Sequence, residues 1–318
     1  MYYNIVMENK GLKTFKMIKF RHDADIDKGC AVAVGGFDGV HIGHRAMIVS
    51  LVNEAKRHSV PSVVFTFDAE DSPKSESSLL ATDAKKNLLL ASLGVDIVIS
   101  VPFSEIRNMQ AGDFVKSVFV DLLKAKSIVC GYDFRFGNNR EGDVSFIKSL
   151  LSESGVTFIT PNAVVLDGVP ISSTLIRAHI ANGDFEKANA LLGYSFSFSG
   201  EVIHGRQLGR ELGFPTINQK YPEHLAIPRY GVYAVKCSVD GKIYGGVANV
   251  GVKPTVGQED MPLCETYLFD YSGDCYSSIV ETEFVAFIRE EKRFSSLEEL
   301  KKQVSQDISV AKNLLKEF

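Results

Sequence analysis

GGFDGVHIGH, running from Gly35 to His44, decides how the first half of the chain is read. It closes a short β-rich run that starts at Cys30, and it opens a helix. From His41 to His58 the apolar residues Met47, Ile48, Leu51, Val52 and Ala55 fall on one helical face. A strand that ends in glycines lets backbone come close to a ligand, because Gly35, Gly36 and Gly39 carry no Cβ. The helix start that follows offers unpaired N–H groups and a positive dipole end, which suit phosphate. His41 and His44 are three apart and share a face. Two imidazoles there can hydrogen-bond phosphate oxygens and stabilise charge that develops during phosphoryl or nucleotidyl transfer.

Outward from this stretch, strand and helix signals alternate. Ser62 to Phe67 reads as a strand after Pro61, and Asp83 is the expected cap of a helix that stops at Gly94. Val95 to Val101 is a buried strand, Phe114 to Leu123 a helix and Ser127 to Cys130 a strand. Asp143 to Glu153 is helical again, and Val156 to Thr160 returns as a strand. Such alternation implies a doubly wound parallel sheet with right-handed crossovers, whose ligands sit at the carboxyl ends of the strands. Near Gly183 the texture changes. One more helix, Phe185 to Leu192, ends at Gly193. Strands follow at Phe196 to Ile203, Gly231 to Val239, Lys242 to Val250, Glu265 to Tyr271 and Ile279 to Arg289, with a hairpin signal at Asp240-Gly241. An amphipathic helix, Leu297 to Leu315, comes after Ser295-Ser296. The second half therefore reads as an antiparallel barrel or sandwich with a covering helix. The predicted domains are 17–184 and 185–318.

Length and composition agree with this division. A chain of 318 residues suggests two domains, and 45% hydrophobic with 23% charged residues marks a folded chain. The net charge of −4 argues against broad binding to nucleic acid. No apolar run reaches the roughly 18 residues of a membrane span, and the first residues carry no secretory h-region. The five cysteines, at 30, 130, 237, 264 and 275, show no Cys-x-x-Cys spacing. Reduced thiols and a cytoplasmic location are the expectation.

Three further stretches carry chemistry. ISSTLIR (171–177) sets the cap-type residues Ser172, Ser173 and Thr174 one turn before Arg177, a clamp for ATP phosphates. GYDFRFG (131–137) offers Phe134 and Phe136 to a flat ring and Asp133 as a hydrogen-bond acceptor. GEVIHGRQLGRELGFPTIN (200–218) sets Gly205, Gly209 and Gly213 among Arg206 and Arg210, a loop able to wrap phosphates. Thr216 and Asn218 are two apart, so in an extended segment they point to one side, and two neutral oxygens plus ATP phosphates suit Mg2+. Each stretch alone also reads as ordinary capping, packing or turn.

Taken in order, these motifs resemble the bacterial bifunctional riboflavin kinase/FMN adenylyltransferase family, also called bifunctional FAD synthetase. The resemblance implies an HxGH nucleotidylyltransferase domain followed by a six-stranded riboflavin-kinase barrel. The kinase signature Gly-x-Pro-Thr-Ala-Asn is matched by Gly213 to Asn218 with Ile217 in place of the alanine, and the likeness runs on through NVGVKPTV (249–256), CETYLFD (264–270) and FIREEKRFSSLEELKKQVSQD (287–307). It implies that His41, His44 and Arg177 serve AMP transfer and that Glu265 deprotonates the riboflavin 5′-hydroxyl. It implies ATP or flavin contacts for Gly35, Phe37, Asp38, Gly39, Asp133, Phe134, Phe136, Ser172, Ser173, Thr174, Gly205, Gly209, Arg210, Gly213, Pro215, Arg289 and Phe294. Mg2+ on Thr216 and Asn218, with riboflavin, FMN, FAD and ATP as partners, completes the expectation.

The chain departs from the family elsewhere as well. The family follows its second strand with Thr-Phe-x-Pro-His-Pro, whereas this chain has Thr66-Phe67-Asp68-Ala69-Glu70-Asp71-Ser72-Pro73. That departure keeps open a kinase whose first domain is impaired or uses another acceptor; a flavin-binding regulatory protein is the other alternative. Tyr276-Ser277 stands where Tyr-Gly is usual, and residues 1–16 have no counterpart in the pattern.

Overall fold

The computed structural model describes residues 6–9, 12–16, 26, 28–68, 78–205, 208–252 and 262–316. The chain divides into two compact units, Met1–Ser173 and Thr174–Phe318.

In the first unit β1 (Val6–Asn9) and β2 (Leu12–Lys16) form an antiparallel pair. Then come β3 (Ala31–Val34), α1 (Ile42–His58), β4 (Ser62–Phe67), α2 (Asp83–Ser92) and β5 (Ile97–Val101). Short α3 (Phe103–Ile106) and α4 (Ala111–Phe114) follow, and α4 runs into a π-helical stretch, Val115–Leu122. β6 (Ser127–Cys130) leads to the small pair β7 (Arg135–Phe136) and β8 (Gly142–Asp143), then α5 (Val144–Leu150) and β9 (Thr157–Ile159). A hairpin of β10 (Val165–Leu166) and β11 (Val169–Pro170) precedes α6 (Ser173–Ala181).

The main sheet has the order β1-β2-β5-β4-β3-β6-β9, and it is parallel from β2 to β9. The chain winds from β3 through β4 to β5 in one direction and then returns to β6 on the other side of β3. The crevice beyond the carboxyl ends of β3 and β6 is thus the topological switch point, where doubly wound sheets bind ligands. Strand residues alternate between two buried layers. Val32 and Val34 pack with Phe65, Phe119 and Ile128 on one face, while Ala31 and Ala33 pack with Ile48, Leu51 and Val98 on the other. Helix α1 buries Ile48, Leu51 and Ala55, as its periodicity requires.

One local expectation is corrected. Thr82, not Asp83, caps α2: its hydroxyl accepts from the Lys85 N–H at 3.3 Å, and Asp83 is the first helical residue. A Thr-Asp pair offers two cap-type side chains, and backbone geometry chooses between them. Residues 6–9 and 12–16, given no role by the motifs, are strands, and β2 pairs in parallel with β5. Residues 69–73, where the chain departs from the family, lie outside the described residues.

The second unit contains α7 (Phe185–Leu192), ended by Gly193 at φ 75°, then β12 (Ser197–Ile203), α8 (Leu208–Glu211) and β13 (Thr216–Lys220). β14 (Gly231–Val239), β15 (Lys242–Val252), β16 (Pro262–Leu268), β17 (Ile279–Arg289) and α9 (Leu297–Leu314) complete it. Six strands close as β12-β13-β16-β15-β14-β17, a barrel rather than a sandwich. Asp240 (φ 49°) and Gly241 (φ 76°) make the tight turn between β14 and β15, with Val239 opposite Lys242. Inside the barrel the buried Gln219 amide donates to the carbonyls of Gly200 at 3.0 Å and Val280 at 2.8 Å, and accepts from Thr282 at 2.8 Å. A buried amide with three partners fixes strand register, since leaving any of them unmade costs about 1–3 kcal/mol. Strand β16 starts at Pro262, three residues before the expected Glu265, so Glu265 lies mid-strand.

Candidate active sites

The first site is built at the switch point. After β3 the chain turns through Phe37 (φ 47°) and Gly39 (φ 76°) before α1 begins. His41 stands just outside the helix as its cap, and its Nδ1 accepts the His44 N–H at 3.3 Å. The two imidazoles stack with centroids 3.6 Å apart and planes 18° from parallel. Gly43 permits this: a Cβ there would lie 3.2 Å from the His41 ring. Phe37 packs against His44 at 5.3 Å. The Asp38 carboxylate accepts the Leu80 N–H at 2.8 Å, and the Asp38 carbonyl accepts the Ser173 hydroxyl at 3.2 Å. Asp38 and Ser173 are therefore both tied into the turn. Thr174 and Arg177 lie on α6, in the second unit.

A cavity of about 360 Å³ opens here, and Gly35, Gly36, Phe37 and His44 form one wall. His41 does not line it; it sits behind His44 as cap and stacking partner. The facing wall comes from GYDFRFG, with Asp133, Phe134 and Phe136. Phe134 and Phe136 stack at 5.3 Å, and Phe136 is buried against Phe114. Gly142 leaves room for the Phe136 ring, which a Cβ would strike at 2.6 Å. Patterning did not single out Arg107 and Arg140, which also line the cavity. They belong to no motif, and only the fold brings them to it.

The second site is a row across three barrel strands. Asn218 on β13 and Asn249 on β15 both stand opposite Glu265 on β16. With Thr216 these residues line a second cavity of about 360 Å³. Gly205 packs on the Asn218 amide so closely that a Cβ would lie 2.4 Å from its Nδ2. Gly209 is bound likewise, since a Cβ would reach the Phe214 carbonyl at 2.4 Å, and Gly213 holds a turn at φ 84°. Arg289 and Phe294 line this cavity. The Arg289 guanidinium, however, is engaged by Asp307 of α9, with Nη2 at 2.7 Å and Nε at 3.0 Å from its oxygens, and by the Glu290 carbonyl at 2.8 Å. It also lies 5.8 Å from the Phe294 ring. Arg289 thus ties α9 and the Phe294 segment to β17. Glu291, not foreseen, accepts from the Asn249 amide at 3.1 Å.

Thr216 also borders a third cavity, of about 480 Å³, with Arg210, Pro215, Asp274 and Tyr276. Burial, followed by the hydrogen bond to Cys275, pushes the Tyr271 phenol on this wall up to about 12, and burial raises the Cys275 thiol. Both stay neutral near pH 7, and among the described residues of that wall Arg210 is the basic and Asp274 the acidic side chain.

The comparisons with known proteins meet this geometry. The family model for FAD synthetase matches residues 23–175, and that for riboflavin kinase matches residues 192–315. The bifunctional riboflavin kinase/FMN adenylyltransferase of Pseudomonas fluorescens is 37% identical over 292 residues, 90% of this chain and 93% of that protein. The chain belongs to the bifunctional riboflavin kinase/FMN adenylyltransferase family. The family member of Haemophilus influenzae is 36% identical and covers 93% of this chain and 98% of its own. A crystal structure described as a macrolide-efflux protein from Streptococcus pneumoniae matches with a TM-score of 0.85 at 28% identity, over 94% of this chain and 99% of that one. Among the described residues no helix is long and apolar enough to cross a membrane, and all five cysteines are free and buried.

The kinase and adenylyltransferase domains of this family use ATP, and such domains generally need a divalent metal. Among the described residues no cluster of three or more His, Cys, Asp or Glu side chains could hold one. A hard cation with phosphate ligands does not need such a cluster. Thr216 and Asn218 share one face of β13, Thr216 at the join of two cavities and Asn218 in the first of them, and Gly205 leaves the Asn218 amide its space. These neutral oxygens fit an ion that arrives with ATP.

Proposed function

We propose that the barrel cavity containing Glu265 takes riboflavin and that the cavity across Thr216 takes ATP. The enzyme phosphorylates riboflavin to FMN, and it transfers AMP from ATP to FMN to give FAD and pyrophosphate. One observation carries the kinase assignment: Thr216 lines both cavities, so two substrates bound on its two sides meet at one residue. Glu265 accepts the proton of the 5′-hydroxyl as that oxygen attacks the γ-phosphorus. Thr216 and Asn218 would hold Mg2+, which offsets charge on the phosphates. Gly209, Gly213, Arg210 and Pro215 shape the phosphate side. Arg289 acts from behind, holding the Phe294 segment at the flavin cavity through its pair with Asp307.

In the first unit the FMN phosphate attacks the α-phosphorus of ATP, and pyrophosphate leaves. His44 faces the reacting phosphates, and His41 orients it by stacking and by capping α1. Ser172 holds the departing pyrophosphate. The protein forms no covalent bond; positioning and charge stabilisation do the work. The adenylyltransferase is assigned to residues 17–184 and the kinase to 185–318, in a cytoplasmic enzyme.

Incubation of the purified chain with riboflavin, ATP and Mg2+, followed by chromatography, tests the whole reading. FMN appears first and FAD follows. Glu265→Gln abolishes FMN formation and keeps FAD formation from supplied FMN. Equal loss of both activities refutes two separate sites.

A further inference from the structure

Arg107 and Arg140 are the unexplained charges of the first cavity. Arg107 ends α3 four residues after Phe103, so both stand on one helical face, and both line the cavity. Arg140 comes from the turn after Gly137. The two turns are joined: the Asn138 N–H donates to the Met109 carbonyl at 2.7 Å, and the Ala111 N–H to the Glu141 carboxylate at 2.8 Å. Gly137 lies so close to Ala111 that a Cβ would come within 2.9 Å of it. The arginines thus stand on one stiff wall. Arg135 lines the cavity as well, but its guanidinium pairs with Asp143 at 3.0 Å. Among the described residues neither Arg107 nor Arg140 has an ion-pair partner, and Asp133 is the one carboxylate among the described lining residues.

We infer that Arg107 and Arg140 grip the carbonyl edge of the FMN isoalloxazine ring and set the affinity of the adenylyltransferase for flavin. The inference rests on the reading that this cavity takes FMN. The FMN phosphate must reach the His44 end to react. The ring then lies against the aromatic lining of the cavity, where Phe103 meets Phe67 edge-on at 5.4 Å and Phe134 stacks on Phe136. Aromatic side chains serve the faces of a flat ring. The pyrimidine edge carries two carbonyl oxygens, both acceptors, on either side of one N–H donor. A guanidinium presents a planar fork of donors, carries a permanent charge and sheds its water more readily than an ammonium, so it suits such an edge inside an apolar cavity. Positive charge near this edge is also how proteins commonly tune a flavin.

Lumiflavin separates ring from phosphate. It carries the isoalloxazine ring without the ribityl chain, so it has no phosphate to hold and no hydroxyl to phosphorylate. The full chain and its Arg107→Met, Arg140→Met and doubly substituted variants are assayed for FAD formation from FMN, with lumiflavin as competitive inhibitor. The expected result is a rise in KM for FMN and in Ki for lumiflavin together, on the order of tenfold for each arginine, with kcat and KM for ATP unchanged. Unchanged KM for ATP also marks the unit as folded. Arg107→Lys and Arg140→Lys, which keep the charge and lose the fork, fall between and carry the test if the Met variants unfold. A rise in KM for FMN with an unchanged Ki for lumiflavin assigns the arginines to the phosphate and overturns the inference. No change in either value overturns it too. Absence of FAD formation by the unaltered chain refutes the cavity assignment itself.

Discussion

Gly205→Ala is the sharpest test of how the kinase site is held. An ideal Cβ at Gly205 would lie 2.4 Å from Nδ2 of Asn218, 2.7 Å from its Cγ and 2.8 Å from its Oδ1. Ordinary contact begins near 3.4 Å, so the amide must retreat by about 1 Å or the loop must lift by as much. The Asn218 backbone cannot follow, because the ladder pins it between Ile203 on β12 and Glu265 on β16. Its side chain is short and nearly buried, so the shift goes into the amide that would hold the metal. Overpacking of this kind costs about 1–3 kcal/mol of stability, and a displacement of about 1 Å in a reacting group costs on the order of 10²-fold in rate. The assay measures FMN formation from riboflavin and FAD formation from supplied FMN on one preparation. The kinase rate falls by about 10²-fold while FAD formation is retained. In an Asn218→Ala background the same substitution adds little, since the atoms it strikes are gone. A near-normal kinase rate in Gly205→Ala, or fully additive losses in the double variant, refutes the reasoning.

Three further outcomes are expected. Gly43→Ala presses on the His41 ring at 3.2 Å and loosens its stack on His44. FAD formation should drop on the order of tenfold with no loss of melting temperature, because Ala favours a helix over Gly by about 1 kcal/mol; an unchanged rate removes His41 as the positioning group. Ser277 holds φ 60°, so Ser277→Gly should stabilise the enzyme by about 1 kcal/mol in urea unfolding, and a loss of stability contradicts the strain. Burial pushes the thiols of Cys30, Cys130, Cys237 and Cys264 from 9.0 up to about 12. The unfolded chain releases these protons first as pH rises, so their stabilisation is complete below pH 9 and is lost between about pH 9 and 12, by about 1.4 kcal/mol per thiol per pH unit at most. Urea midpoints at pH 8, 9 and 10 check this, and a flat profile refutes it.

Much of the architecture was legible because it is local. The spacing of Ile48, Leu51 and Ala55 placed α1, Gly193 ended α7, and Asp240-Gly241 closed the β14–β15 turn. The GGFDGVHIGH run marked the start of α1, because backbone freedom and capping act within a few residues. The side chains missed share one property: their roles come from distant partners. Asn249 meets Glu265 across strands, Asp307 reaches Arg289 from α9, and Arg107 joins Arg140 through a contact between two turns. Strand β13 also escaped patterning, since its Thr216 and Asn218 are polar residues turned to a cavity.

Periodicity, turn residues and glycines therefore marked most of the helices and strands, since those depend on neighbours along the chain. Barrel closure decided which carboxylate faces which amide, because strand register is set by the pairing of all six strands and by the buried Gln219 network. Folding also separated line from support. His44 faces its cavity while His41 stands behind it, and Arg289 is spent on Asp307. Side chains with similar chemistry receive different tasks there, because burial and competing hydrogen bonds exist only once distant segments have met.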